Sequence, residues 1–171
     1  MENQMTIREE TSADIASIRS VNRTAFKKAT ESNLVDALRK NGKLVISLVA
    51  EENAEVIGHI AFSAVTAEPL LQKERIIGLG PVAVLPNKQN KGTGSMLVKS
   101  GLEHATRLGY THVVVLGGDY YHRFGFVPAQ QYGIKSAYDA GDHFMILALA
   151  EATMPANVMM KYEPEFADGD C

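Results

Sequence analysis

Ile76-Ile77-Gly78-Leu79-Gly80-Pro81-Val82-Ala83-Val84 leads, after a short spacer, into Gln89-Asn90-Lys91-Gly92-Thr93-Gly94, and Ser95-Met96-Leu97-Val98 follows at once. The first stretch is a β-branched, apolar run of strand type, and the last opens an amphipathic helical pattern. A strand that ends in a glycine loop at a helix N-terminus gathers several unpaired backbone N–H groups around one point. The helix dipole adds partial positive charge there, and glycines let the backbone close on an anion with no Cβ in the way. The natural guest is a phosphate or pyrophosphate.

Three loop types compete for this stretch. The nucleoside-triphosphate loop needs Gly, four residues, then Gly-Lys-Ser/Thr, but Lys91 precedes both glycines. The dinucleotide fingerprint needs a third glycine at position 97, which is leucine, and no acidic residue is well placed downstream. What remains is Gln-x-x-Gly-x-Gly, which resembles the acetyl-CoA loop of the GNAT N-acetyltransferase superfamily. A glycine turn that merely joins strand to helix is the plainer alternative.

A second motif narrows the choice. After the apolar run His112-Val113-Val114-Val115-Leu116 comes Gly117-Gly118-Asp119-Tyr120-Tyr121-His122-Arg123-Phe124-Gly125-Phe126. The superfamily carries Tyr-x-x-x-Gly-Phe at this place, and Tyr121, Gly125 and Phe126 match it. The Tyr-Tyr-x-Arg-Phe-Gly-Phe wording, with the late Val158-Met159-Met160-Lys161-Tyr162-Glu163-Pro164-Glu165-Phe166, resembles small bacterial acetyltransferases of the YhbS type. The resemblance runs from about residue 6 to 166.

The resemblance implies a mixed α/β fold. A mostly antiparallel central sheet is flanked by helices, with a V-shaped split between the fourth and fifth strands. The pantetheine arm of acetyl-CoA would lie in that split and pair with the backbone of Val82, Ala83 and Val84. Gly80 and Pro81 suggest a bulge there, because proline donates no ladder hydrogen bond. The pyrophosphate would rest on the loop, with Gln89, Asn90, Lys91, Gly92, Thr93, Gly94 and Ser95 as cofactor-binding residues; Lys88 is a further cation at its rim. Tyr121 is the catalytic candidate, as hydrogen-bond donor to the departing sulfur, and Tyr120 is the next choice.

The chemistry sets two demands. An amine of pKa about 10.4 is neutral only about once in 2,500 molecules at pH 7, a penalty of roughly 4.6 kcal/mol. The departing thiol, with a reference pKa of about 8.5, must be stabilised as it leaves. Glu68, Glu74 and His59 are base candidates, each with a plainer structural reading, and His122 or Asp119 can simply cap the short helix near the tyrosine. The activity implied is acetyl transfer from acetyl-CoA to a primary amine of a small molecule or protein. A non-catalytic acyl-CoA-binding or sensing module is the alternative.

The remaining composition narrows the class. The 171 residues make one domain's worth of chain, enough to bury roughly 70% of its unfolded surface. An apolar share of 46% and a charged share of 22% are those of a soluble globular protein. A net charge of −3 with no basic stripe argues against a nucleic-acid footprint. No apolar run nears the roughly 18 residues that span a bilayer, and the polar, acidic start lacks a secretory pattern. The lone Cys171 can make no internal disulfide, which fits a reducing cytoplasm. The five histidines show no metal-ligand spacing, so no metal is expected. Paired chains are common in the family, which leaves a homodimer open.

Along the chain, Thr6-Ile7-Arg8 reads as a first strand and Thr11-Ser12-Ala13-Asp14 as a helix start. Ile15, Ile18, Val21, Asn22 and Phe26 recur at helical spacing. A second helix from about Ser32 to Asn41-Gly42 follows. Strands over residues 45 to 50 and 56 to 62 are joined through Glu51-Glu52-Asn53-Ala54. Leu97, Val98, Gly101, Leu102, Ala105 and Leu108 form the core stripe of the helix after the loop. Residues 128 to 142 read as loop, 144 to 149 and about 158 to 162 as the last strands, and 167 to 171 as a frayed tail.

Overall fold

In the computed structural model, residues 4 to 137 and 141 to 166 are described; the expected tail at 167 to 171, with Cys171, lies outside them. The strands are β1 (Met5–Glu9), β2 (Leu44–Glu52), β3 (Glu55–Glu68), β4 (Ile76–Val84), β5 (His112–Leu116), β6 (Val127–Pro128), β7 (Lys135–Ser136), β8 (Phe144–Ala148) and β9 (Met159–Tyr162). The helices are α1 (Ile15–Phe26), α2 (Thr30–Lys40) and α3 (Thr93–Arg107). The sheet order is β1-β2-β3-β4-β5-β8-β6, with β9 on the far end of β3 and β7 beside β9. Neighbours are antiparallel except β4 with β5 and β7 with β9.

Both faces of the sheet are covered, and the alternation of side chains along a strand shows how. Leu48, Ala50, Ile60 and Phe62 join Leu97 and Val98 of α3 in one core cluster. The intervening Val49 and Ala61 join Ile18 of α1 and Val35 of α2 in another. Central strands buried on both faces read as continuous apolar runs, which is why β2 to β5 stand out in the sequence. Helix α3 lies close on β3 because Gly101 leaves room for the Phe62 ring, where any Cβ would collide with it.

An ion pair orders the first corner of the chain. Arg8 on β1 forks onto Asp14, with Nη1 at 2.7 Å and Nη2 at 2.9 Å, and Asp14 also accepts from the Thr11 amide at 2.7 Å. The Arg8 guanidinium holds the Asp14 carboxyl well below the usual carboxylate range. This fixes the strand-to-helix corner, where a 3-10 turn (Ser12–Asp14) precedes α1.

Several boundaries differ from the sequence reading. Helix α2 starts at Thr30, so Glu31 lies in its first turn. Strand β3 continues to Glu68 because its polar end pairs with β9, a partner distant in sequence. The β2–β3 connection is only Asn53-Ala54, both at positive φ (52° and 64°), the backbone of a two-residue hairpin turn; Glu51 and Glu52 stay in the strand. The expected helix after β5 is a 3-10 helix (Asp119–Phe124). Leu108 is 50% exposed and ends outside the α3 stripe, past the helix terminus at Arg107.

Candidate functional site

The site grows from one irregularity in β4. Opposite it on β3, Ile60 faces Val82 and Phe62 faces Leu79, so the single Ala61 opposes both Gly80 and Pro81. That is a β-bulge at the expected position, and Gly80 takes φ 140° there. On the other edge of β4, the parallel rungs with β5 run from Ile76–His112 to Leu79–Val115 and then stop. The two strands therefore diverge from Gly80 onward.

Beyond the bulge, one edge of β4 has no strand partner among the described residues. The Leu85 amide donates to Ile57 of β3 at 2.9 Å. Successive residues of a strand turn their N–H and C=O groups to alternate edges. Ala83 therefore bonds toward β3, while the backbones of Val82 and Val84 face the split. The Gln89 side chain donates to the Val84 carbonyl at 2.9 Å, bracing the loop against the strand.

The loop closes into α3 through Asn90 at φ 63° and Gly92 at φ 86°. Gly92 caps the helix, and its carbonyl accepts from Met96 at 3.0 Å. The amides of Gly92, Thr93, Gly94 and Ser95 precede the first intrahelical bond. Among the described residues no side chain accepts from them. Thr93 is buried; Gln89, Asn90, Lys91 and Gly92 are exposed. Lys88 is held by Glu52 at 2.7 Å, which raises its pKa and leaves Lys91 as the loop's unpaired cation among the described residues.

The two tyrosines separate in space. Tyr120 stands over the loop, its hydroxyl 3.3 Å from that of Ser95, with the Arg123 guanidinium 4.2 Å above its ring. Tyr121 turns back toward the split and lines a cleft of about 250 Å³ with Leu79, Gly80, Pro81 and Val82. The Cδ2–Cε2 edge of its ring lies against Gly117, where a Cβ would clash. Gly117 is clamped by His143, which accepts its amide and donates Nδ1 to its carbonyl, each at 2.8 Å. Burial, with Tyr120 nearby, pushes the Tyr121 hydroxyl up to about 12.

The base candidates lie elsewhere. His59 is fully buried, with Nδ1 3.2 Å from the Asn22 side-chain amide and Nε2 2.8 Å from the Ser47 hydroxyl. With Nδ1 accepting, the proton sits on Nε2 and donates to Ser47. Burial pushes His59 down to about 3, so it stays neutral. Glu68 pairs with Lys161 at 2.7 Å at the far end of β3. His122 Nδ1 bonds the Phe126 carbonyl at 3.1 Å, as a local cap.

One cleft residue escaped the sequence reading: Glu31 of α2. An acid in the first turn of a helix reads as a dipole partner. Its place at the cleft becomes visible only once Tyr162 and Phe166 return from the far end of the chain to line the same space. Among the described residues no group of three or more His, Cys, Asp or Glu side chains is arranged to hold a metal, and no helix is long and apolar enough to cross a membrane.

Known proteins resemble this chain in sequence and fold. A family model described as "Acetyltransferase (GNAT) family" matches residues 14–126. The uncharacterized N-acetyltransferase YhbS of Escherichia coli K12 is 33% identical over 150 residues, covering 86% of this chain and 89% of that protein. A second relative, the uncharacterized N-acetyltransferase YjhQ of the same strain, is 34% identical over 119 residues; the match covers 68% of this chain and 66% of YjhQ. The crystal structure of E. coli YhbS in complex with CoA superposes with a TM-score of 0.89 at 29% identity, covering 98% of this chain and 94% of that one. A Brucella melitensis GNAT-family acetyltransferase in complex with acetyl-CoA gives 0.78 at 36% identity, covering 96% and 99%.

Proposed function

This chain belongs to the acetyltransferase (GNAT) family, and from that premise we propose that it transfers an acetyl group from acetyl-CoA to a primary amine. The observation that carries this is the end of parallel pairing at Leu79–Val115, on the same strand that leads into the free amides of α3. An extended thioester arm and a diphosphate are the two halves of one ligand, and these two features suit them in that order. We read the whole chain as one such domain.

Each residue then has a task. The backbones of Val82 and Val84 offer hydrogen bonds to the pantetheine amides, while Ala83 keeps the strand on β3. Gln89 and Asn90 shape the loop, and the amides from Lys91 to Ser95 receive the pyrophosphate, with Lys91 adding charge. The amine, once neutral, attacks the thioester carbonyl carbon. A C–N bond forms, the C–S bond breaks, and its electron pair leaves on sulfur; nitrogen sheds its proton to solvent, and the thiolate takes one from solvent to end as a thiol.

Tyr121 serves the leaving group as a hydrogen-bond donor. With its hydroxyl at about 12 and a thiol near 8.5, full proton donation is uphill by about 5 kcal/mol. The same shift keeps the donor protonated at every working pH. It stabilises the thiolate without becoming an anion itself.

Incubating the protein with acetyl-CoA and a panel of amines, with free thiol as the readout, tests the reading. An acetyltransferase releases thiol only when a suitable amine is present. A module that only binds acyl-CoA takes up the ligand and releases none.

A further inference from the structure

The cleft beneath the split has a definite chemical character. Apolar and aromatic side chains make most of its wall, among them Phe26, Leu34, Leu79, Tyr121 and Phe166. Into that wall α2 sets Glu31, the one carboxylate among the described lining residues, and no lysine, arginine or histidine lines it. Glu31 Oε1 lies 3.4 Å from the ammonium of Lys28, whose side chain is about half exposed. Oε2 is sealed from solvent and has no hydrogen-bond partner among the described residues. A buried carboxylate oxygen with no donor is costly, and such a group calls for an explanation.

We propose that Glu31 docks the acceptor, and that the acceptor carries a primary ammonium on an apolar or aromatic body. An ammonium brings three N–H donors, and a turn of the Glu31 side chain toward the cleft it lines brings Oε2 onto one of them. The body of the molecule then lies on the rings and aliphatic side chains of the wall, which offer it no other charge. An acceptor with a carboxylate beside its amine is disfavoured, because that charge would face Glu31 with no cation lining the cleft to offset it. Glu31 is a substrate-binding residue in this account: the docked ammonium sheds one proton to solvent before the neutral amine attacks, and Glu31 takes no part in the bond changes. The inference rests on the acetyl-transfer reading.

The test compares wild type with Glu31→Gln, using acetyl-CoA and three acceptors: phenethylamine, phenylalanine and an N-terminally blocked lysine peptide. Phenethylamine or the lysine peptide is acetylated, and whichever gives the higher kcat/KM identifies the source of the ammonium. Phenylalanine is poorer than phenethylamine by about tenfold or more. In Glu31→Gln the KM for the good acceptor rises by about tenfold or more, while coenzyme A affinity and melting temperature hold. Glu31→Asp, which keeps the charge, recovers part of the loss. Equal KM values in wild type and Glu31→Gln overturn the inference, as does phenylalanine turning over as well as phenethylamine. If wild type binds coenzyme A and acetylates amines regardless of Glu31, this inference alone falls. If it takes up no coenzyme A, the acetyl-transfer reading falls with it.

Discussion

Leu79 and Val115 form the last rung between β4 and β5, and the bulge at Gly80-Pro81 begins at the very next residue. The coincidence has a physical cause. A bulge turns the bulged strand and sharpens its twist, so a neighbour that was in register cannot follow. The backbones of Val82 and Val84 are thereby left facing the split, beyond the last rung to β5. A ligand with its own amides would complete the ladder, as the proposed acetyl-CoA arm does in this account.

The loop is the most exposed to a single charge. Gly92 sits at φ 86° with open space where a Cβ would be. Gly92→Glu places a carboxylate beside the bound diphosphate and weakens coenzyme A by about a hundredfold or more. Gly92→Ala carries only the strain of a left-handed residue, about 1 kcal/mol, and weakens it far less. Calorimetric titration of both variants separates charge from strain.

Tyr121→Phe keeps the ring on Gly117 and removes only the hydroxyl. It lowers kcat by about a hundredfold with coenzyme A affinity nearly unchanged, as expected for a donor that acts on developing charge. Because burial holds that hydroxyl at about 12, the wild-type pH–rate profile carries no limb from it below about pH 11. Equal turnover in the variant removes the tyrosine from the mechanism.

Acid stability reports on the buried histidines. The folded pKa of His59 is depressed to about 3, so between about 6.5 and 3 the unfolded chain binds a proton that the native state refuses. Stability therefore falls as pH drops through that window, by at most about 1.4 kcal/mol per pH unit for each such histidine. His112, also lowered chiefly by burial, adds to the slope. Denaturant midpoints from pH 7 to 5 in wild type and in His59→Asn show the His59 share as a lost slope, even where the variant is less stable at both ends.

Lys43 ties the C-terminal segment to the body. Its ammonium meets Glu163 at 3.1 Å and Glu165 at 3.0 Å, just before Phe166 enters the cleft wall. Lys43→Ala leaves melting nearly unchanged, because ion pairs near the surface are largely screened by solvent. It raises the acceptor KM with no change in coenzyme A affinity. A steady-state series in amine at saturating acetyl-CoA reads both effects.

The parts of the site legible in the sequence are those built from contiguous chain. Strand β4, its bulge, the glycine loop and α3 are one stretch, and each announces itself by composition and period. Tyr121 came into view by motif, but its separation from Tyr120 depends on the turn of a 3-10 helix that sequence does not fix. Contributions from distant chain were hidden. The outer end of β3 carries only the short alternation Val65-Thr66-Ala67-Glu68, and the β9 partner that extends it lies far along the chain. The two-residue strands β6 and β7 exist only through partners elsewhere. Glu31 acquires its meaning from Tyr162 and Phe166, over a hundred positions later.

The central claim is that the split and the loop grip one ligand together. Titrating the protein with coenzyme A, in parallel with Gly92→Glu, tests it most directly. The account predicts saturable heat with one site per chain in the wild type and none in the variant. Wild type that produces no heat, or a variant that binds as tightly as wild type, contradicts it.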